Sequence, residues 1–143
     1  MRIVFQSIYG GADCAVVVRP VMRRIKAELA ALAAESHSRD LDEIRVSLLV
    51  AGGIDGAGTD PNGSFGYRLM RNDRYFSARL TMHEHVWLAG DDAVLLFLTR
   101  EVLIIAEEAV ARAAKARLHI ARDAFLADLK AAVEKLRDGP PAR

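Results

Sequence analysis

The sequence predicts an α+β fold: a small, mainly antiparallel sheet of about four strands, with helices packed on one face, in the order β-α-β-β-β-α-α. Three observations support this fold class. Residues typical of strands flank Asn72-Asp73 in the middle of the chain, which predicts a hairpin. Two shorter strand patterns precede it, and apolar residues recur at helical spacing in the last third. A chain with 52% hydrophobic and 27% charged residues is expected to fold.

The first half of the chain contains two predicted strands and one predicted helix. Residues 2–9, RIVFQSIY, have apolar side chains at both parities, which indicates an interior strand, and two glycines end it. A helix is predicted from about Arg19 to Ser36, because Pro20 suits a first turn and apolar residues follow at helical spacing. Residues 42–50 alternate between apolar and polar side chains and predict a second, half-buried strand.

The predicted hairpin spans Ser64 to Val86, with Asn72-Asp73 as its turn. This register places six apolar residues on one face: Leu69 opposite Phe76, Tyr67 opposite Ala78, and Phe65 opposite Leu80. The other face receives a mixed and basic set: Met70 with Tyr75, Arg68 with Ser77, and Gly66 with Arg79. A sheet covered on one side only would have this pattern.

The last third of the chain is predicted to be helical from Ala93 almost to the end. Whether a break near Leu118-His119 divides it into two helices stays open at this point. The glycine and prolines that follow stop the helix, so we expect a single domain over residues 1–138 and a disordered tail over residues 139–143.

Charge and cysteine content restrict the classes of function. The net charge is +1, whereas a dedicated nucleic-acid binder would need a strong basic surplus, so we predict no direct nucleic-acid partner. The single cysteine, Cys14, excludes an intramolecular disulfide and is expected to be a small buried thiol. Neither a signal peptide nor a membrane span is recognisable, so we expect a cytoplasmic protein without a membrane partner.

His83 and His85 are the strongest candidates for metal ligands in the sequence. On a strand, residues two apart point to the same face, and such a pair can bind one metal ion. A third ligand would have to come from elsewhere, from His119, Asp60 or Asp91. Two histidines on an exposed strand face need no metal, so we predict no metal and keep a small metal-binding domain or metal-dependent enzyme as the alternative.

The glycine-rich stretch from Ala51 to Gly66 does not match a known phosphate-binding or calcium-binding motif. It lacks the GK[ST] ending of a P-loop, and a strand follows it instead of a helix. Asp55, Asp60 and Asn62 could hold a calcium ion, but their spacing is not that of an EF-hand. We therefore interpret the stretch as a flexible strand connection and predict no cofactor and no catalytic residues.

The basic face of the predicted hairpin is a candidate surface for binding a partner protein. It carries Arg68, Met70, Tyr75 and Arg79, and arginine, tyrosine and methionine are enriched in protein interfaces. An ordinary solvated sheet face is the competing interpretation. We predict that these four residues bind a partner, together with Asp55 and Asp60 of the glycine-rich stretch.

Features spread over nearly the whole chain resemble a known class of proteins. They are the opening RIVFQSIYGG, a long first helix, IRVSLLVAGGIDGAG, FGYRLMRNDRYFSARLTM, a tryptophan entering a helix, and a long helical end. In these the chain is similar to the small α+β immunity proteins of bacterial polymorphic-toxin and contact-dependent growth inhibition systems. The resemblance implies a protein that is not an enzyme and that neutralises the toxic C-terminal domain of a cognate effector, typically a nuclease, by stoichiometric binding.

Two further readings stay open beside that resemblance. A secretion chaperone would also bind protein, but it would favour an extended, unfolded segment of its client. An open sheet face or an unpaired strand edge could also support a homodimer.

Overall fold

A computed structural model of the chain describes residues 1–34, 37–52, 65–70 and 73–139; at positions 34, 65–70 and 73 it describes the backbone only. The elements in chain order are β1 (Arg2–Tyr9), α1 (Ala12–Leu29), a 3-10 helix (Ala30–Ala34), β2 (Glu43–Val50), β3 (Phe65–Met70), β4 (Asp73–Met82), α2 (Glu84–Leu88), α3 (Asp91–Lys115) and α4 (Arg122–Asp138). Most of the predicted glycine-rich connection and residues 140–143 of the predicted tail lie outside the described residues.

The sheet is mixed, and the prediction of a mainly antiparallel sheet is wrong. The strand order is β1-β2-β4-β3, with β1–β2 and β2–β4 parallel and only β3–β4 antiparallel. The connection through α1 returns the chain to the start of the sheet, so β2 runs in the same direction as β1. The hairpin then places β3 at the outer edge, and β4 lies between β3 and β2 and runs parallel to β2.

The hairpin is present, but its register differs by two residues from the predicted one. Tyr67 pairs with Phe76 and Phe65 pairs with Ala78. Met70 pairs with Asp73, which leaves positions 71 and 72, instead of 72 and 73, between the paired residues. Because side chains alternate with a period of two, a shift by two residues keeps each residue on its predicted face.

One face of the sheet, which we call the covered face, packs against the helices. Its central residues, Phe5, Val46 and Ala78, are aligned across β1, β2 and β4, and all three are buried. The helices contribute apolar side chains to the same core, among them Val18, Val21, Ile25, Leu98, Val102, Phe125 and Leu129. On the opposite face, which we call the open face, Ile8, Ser47 and Arg79 are exposed, so the helices leave this face uncovered.

Helix α1 begins at Ala12, seven positions before the predicted start at Arg19. Pro20 therefore lies inside the helix and not in its first turn. The extra turns form because Cys14 and Val18 are both fully buried, and burial of apolar side chains outweighs the hydrogen bond that Pro20 cannot donate.

A break does separate two C-terminal helices, since α3 ends at Lys115 and α4 begins at Arg122. The break is a left-handed helix cap: Arg117 has φ 61°, and the N–H of Leu118 donates to the carbonyl of Ala113. None of the described helices is long and apolar enough to cross a membrane.

Arg117→Gly is expected to stabilise the protein, because glycine adopts a positive φ without the steric cost of a Cβ atom. We expect the free energy of unfolding to rise by about 0.5–1 kcal/mol, measured by urea denaturation. Arg117→Ala is the matched control, since it removes the charge and retains the Cβ. A comparable gain with alanine would show that the backbone conformation is not the cause.

Candidate functional site

A polar cluster on the open face crosses three strands near their N-terminal ends. Glu43 of β2 accepts hydrogen bonds from two arginines: the Nε of Arg2 on β1 donates to Oε2 over 2.8 Å, and the Nε of Arg45 donates to Oε1. The guanidinium of Arg45 also lies over the ring of Tyr75 on β4, 3.7 Å from the ring centroid. We call these four residues the Arg–Glu–Arg–Tyr row.

Strand geometry explains how the row forms. Arg2 aligns with Glu43 and Glu43 aligns with Tyr75 in the two parallel ladders, so all three side chains lie side by side on the open face. Arg45 is two residues after Glu43 on the same strand and therefore points to the same face. The row is thus set by the register of the strands.

Glu43 is nearly fully buried beneath its two arginines. Burial alone would raise the pKa of the Glu43 carboxyl, but the hydrogen bonds from Arg45 and Arg2 outweigh it and hold the pKa below its ordinary value. The carboxylate is therefore ionised at neutral pH, and it fixes two otherwise long and flexible cations in place.

The residues predicted to bind a partner are only partly described. Tyr75 is half-buried in the row and Arg79 is exposed on the same face. Arg68 pairs with Tyr75 and Met70 pairs with Asp73, so both backbone positions lie on the open face. Asp55 and Asp60 lie outside the described residues.

Sequence reasoning missed Arg2, Glu43 and Arg45 as members of the candidate site. A signal for two of them was present, because opposite charges two residues apart on a strand lie on one face. The contribution of Arg2 and the position of Tyr75 beside them required the parallel strand order, which the sequence analysis did not predict.

The prediction that the two candidate metal ligands, His83 and His85, lie on a strand is wrong. Strand β4 ends at Met82, His83 caps the short helix α2, and His85 lies within it. Their rings stack nearly parallel with centroids 6.3 Å apart. Within the described ranges of the chain, no group of three or more histidine, cysteine, aspartate or glutamate side chains could hold a metal ion.

His119, one of the suggested third ligands, belongs to a different part of the molecule. Its main-chain N–H donates to the carboxylate of Asp40 over 2.7 Å, which together with its ring lowers the pKa of Asp40. Asp40 precedes β2, whereas His83 follows β4, so Asp40 and His83 lie at opposite ends of two parallel strands. At a rise of about 3.3 Å per strand residue, the length of the strands separates them by about 25 Å.

The C-terminal ends of the parallel strands meet in a tightly packed junction. The backbone of Gly10 lies against that of Gly52: a Cβ added at Gly10 would be 2.6 Å from the main-chain nitrogen of Gly52. The indole N–H of Trp87 on α2 donates to the carbonyl of Ala51 over 2.7 Å. The buried thiol of Cys14 donates to the carbonyl of Gly11 over 3.1 Å, in agreement with the expected buried thiol.

The sequence matches no protein-family model, and neither the curated proteins nor the solved structures contain a match to it.

Proposed function

We propose that this protein binds a second protein through the open face of its sheet, and that it acts as a cytoplasmic immunity protein for the toxic C-terminal domain of a bacterial effector. The observation that carries the proposal is the Arg–Glu–Arg–Tyr row, a set of interface-type side chains held in fixed positions on a face that the helices leave uncovered. The resemblance to immunity proteins supplies the biological context.

The row would bind with a low entropic cost. Ordering a flexible side chain at an interface costs about 0.5–1.5 kcal/mol. Arg2 and Arg45 are already ordered by Glu43, and Arg45 is further held by the ring of Tyr75. A partner that contacts these groups would therefore retain more of the contact energy as affinity.

The charge of the open face indicates the chemistry of the partner. Arg2, Arg45 and Arg79 are cationic, and Glu43 is the anion that joins two of them. Complementary potentials favour a partner surface that carries carboxylates, and association should be faster at low salt. Such a partner surface is acidic, unlike the basic cleft with which a nuclease binds the phosphates of its substrate.

The first test is capture of the partner from native lysate with a tagged chain, followed by mass spectrometry. We expect a near-stoichiometric fragment from the C-terminal end of one large secreted protein. Expression of that fragment alone should inhibit growth, and coexpression of this chain should restore it. A captured fragment that is harmless when expressed alone would contradict the immunity role.

Substitution of the open face tests the binding surface itself. Tyr75→Ala combined with Arg79→Glu should weaken partner binding about 100-fold, as expected for an aromatic and an arginine at an interface centre. Isothermal titration calorimetry measures the affinity, and thermal unfolding checks that the variant is folded. Arg122→Glu, at an exposed position on α4, is the matched control. Equal affinity in both variants would remove the open face from the interface.

A further inference from the structure

A groove runs along the exposed side of α1, next to the last residue of β1. It encloses about 650 Å³, which lies within the range of roughly 300–1,000 Å³ typical of ligand sites. Tyr9 is the strand residue that lines it, and Gly11, Val16, Arg19 and Arg23 lie along the helix side. The described residues that line the groove include two arginines and no acidic side chain, so its charge favours an anionic occupant.

The side chains of the groove offer both apolar and cationic contacts. The guanidinium of Arg19 lies over the ring of Tyr9, 5.1 Å from its centroid, so the cation is held at the strand end. Val16 is 75% exposed, a large fraction for a β-branched apolar residue. An occupant that combines carboxylates with apolar groups would satisfy both kinds of contact.

The groove adjoins the free edge of β1. In the described part of the sheet β1 is an outer strand that pairs with β2 alone, so the prediction of an interior strand for residues 2–9 is wrong. The N–H of Arg2 donates to Asp42 and that of Gly10 donates to Val50, so the even-numbered residues bond to the neighbouring strand. Alternate residues of a parallel strand face opposite edges, and the main-chain groups of Ile3, Phe5, Ser7 and Tyr9 therefore face away from β2.

Strand β1 has few of the features that usually protect a sheet edge, since its one charged residue, Arg2, is at its first position. Its sequence, RIVFQSIY, contains no proline, glycine or lysine, and it forms a regular eight-residue ladder with β2. Ile8, at its C-terminal end, is 67% exposed on the open face. An edge of this length and regularity is a template for pairing with a further strand.

We propose that the free edge of β1 and the adjoining groove bind an extended acidic segment of another protein by strand addition. The added strand would alternate, with carboxylates on the helix side toward Arg19 and Arg23, and apolar side chains on the open side toward Ile8. This site lies at the edge of the sheet and does not rest on the proposed role of the open face.

A second copy of this chain fits the edge less well than an acidic segment. Pairing of β1 with another β1 would bring only RIVFQSIY to the groove, and this strand contains one arginine and no acidic residue. The arginines of the groove would then gain no complementary charge.

Fluorescence anisotropy with a labelled peptide of about ten residues, in which glutamate alternates with valine and threonine, tests the proposal on the full chain. We expect saturable binding, at least tenfold weaker for the same peptide with lysine in place of glutamate. Arg19→Glu combined with Arg23→Glu should weaken binding by at least tenfold, whereas Arg122→Glu should leave it unchanged.

Ser7→Pro tests the main-chain contact. It removes the main-chain N–H of Ser7, which faces the free edge, and leaves the hydrogen bonds to β2 intact. It also deletes the Ser7 hydroxyl, which is buried without a hydrogen-bond partner in the described structure, so no side-chain bond is lost. Peptide binding should be lost while the fold is retained. If this variant does not fold, N-methylation of alternate peptide residues blocks the same bonds from the other side and should abolish binding.

Three results would overturn the proposal. They are an absence of binding at millimolar peptide, equal affinity for the lysine peptide, and binding that stays unchanged in both N-methylated peptides, one methylated at the odd and the other at the even positions. A dimer that dissociates in the Arg19→Glu and Arg23→Glu variant would also overturn it, because the edge would then belong to a second copy of the chain.

Discussion

Gly10→Ala should destabilise the protein by about 3 kcal/mol, measured as the free energy of unfolding in urea. The new Cβ would lie 2.6 Å from the main-chain nitrogen of Gly52 and 3.0 Å from the carbonyl oxygen of Val50. Both atoms belong to backbone, so no side chain can rotate away to make room. Separation of the two segments would also stretch the hydrogen bond from Gly10 to Val50, which is 2.8 Å long and lies at the end of the β1–β2 ladder.

Gly11→Ala is the matched control at the next position. A Cβ there would meet no atom within 4 Å, and the φ of −170° is extended backbone that alanine adopts readily. We expect a change within about 0.5 kcal/mol. An equal loss in the two variants would mean that helix initiation, and not the contact with Gly52, sets the cost.

The elements of this fold were easier to predict from the sequence than their pairing. The alternation in β2 and β4 correctly indicated a sheet with one buried face, because burial acts on each strand separately. The same alternation suggested antiparallel pairing, since parallel sheets are usually covered on both faces. Here the helices cover one face of a partly parallel sheet, and strand direction is set by the path of the chain through α1 and by the outer position of β3.

The start of α1 was missed for a related reason. Pro20 is a helix-start signal within a short window, but tertiary burial of Cys14 and Val18 extends the helix upstream of it. The positions of His83 and His85 were predicted wrongly because β4 ends at Met82. The chain then turns into α2, where the indole N–H of Trp87 donates a hydrogen bond to the carbonyl of Ala51. Both errors arise where contacts distant in sequence override the local pattern.

The candidate site shows the same limit. Tyr75 and Arg79 could be placed on one face from the strand period alone. Their relation to Arg2 depends on β2 lying between β1 and β4, and a single sequence without the strand order does not contain that information. The Arg–Glu–Arg–Tyr row is therefore a product of the topology, and its energetics can be tested separately from its binding.

Arg2→Met combined with Arg45→Met should lower the free energy of unfolding by about 2 kcal/mol at pH 7. Removal of the partners of a buried ion costs roughly 3–5 kcal/mol, and we reduce this because the two arginine side chains are 59% and 39% exposed. Methionine retains much of the aliphatic cover over Glu43, so the carboxylate stays buried while its donors are lost. Urea denaturation from pH 3 to pH 8 gives the measurement.

The contribution of the Glu43 carboxyl to the pH dependence of stability should have opposite signs in the parent chain and in the double methionine variant. In the parent chain the pKa of Glu43 is held below its ordinary value of 4.5, so the row stabilises the fold above that pH and the contribution is lost as pH falls through the folded pKa. In the double methionine variant burial is unopposed and raises the folded pKa. The variant should therefore recover stability relative to the parent at low pH and lose it as pH rises through the raised pKa.

Glu43→Gln added to the double methionine variant provides the control, because glutamine retains the shape of the side chain and does not titrate. Its stability should no longer show the loss with rising pH, and at pH 7 it should exceed that of the double variant. Asp40→Asn in the parent chain separates the contribution of a second carboxyl whose pKa is lowered, that of Asp40, which accepts a hydrogen bond from His119. If the double methionine variant followed the pH profile of the parent chain, the two arginines would not be the cause of the lowered pKa of Glu43. The Arg–Glu–Arg–Tyr row would then not be the fixed pattern of charges on which the proposed partner binding depends.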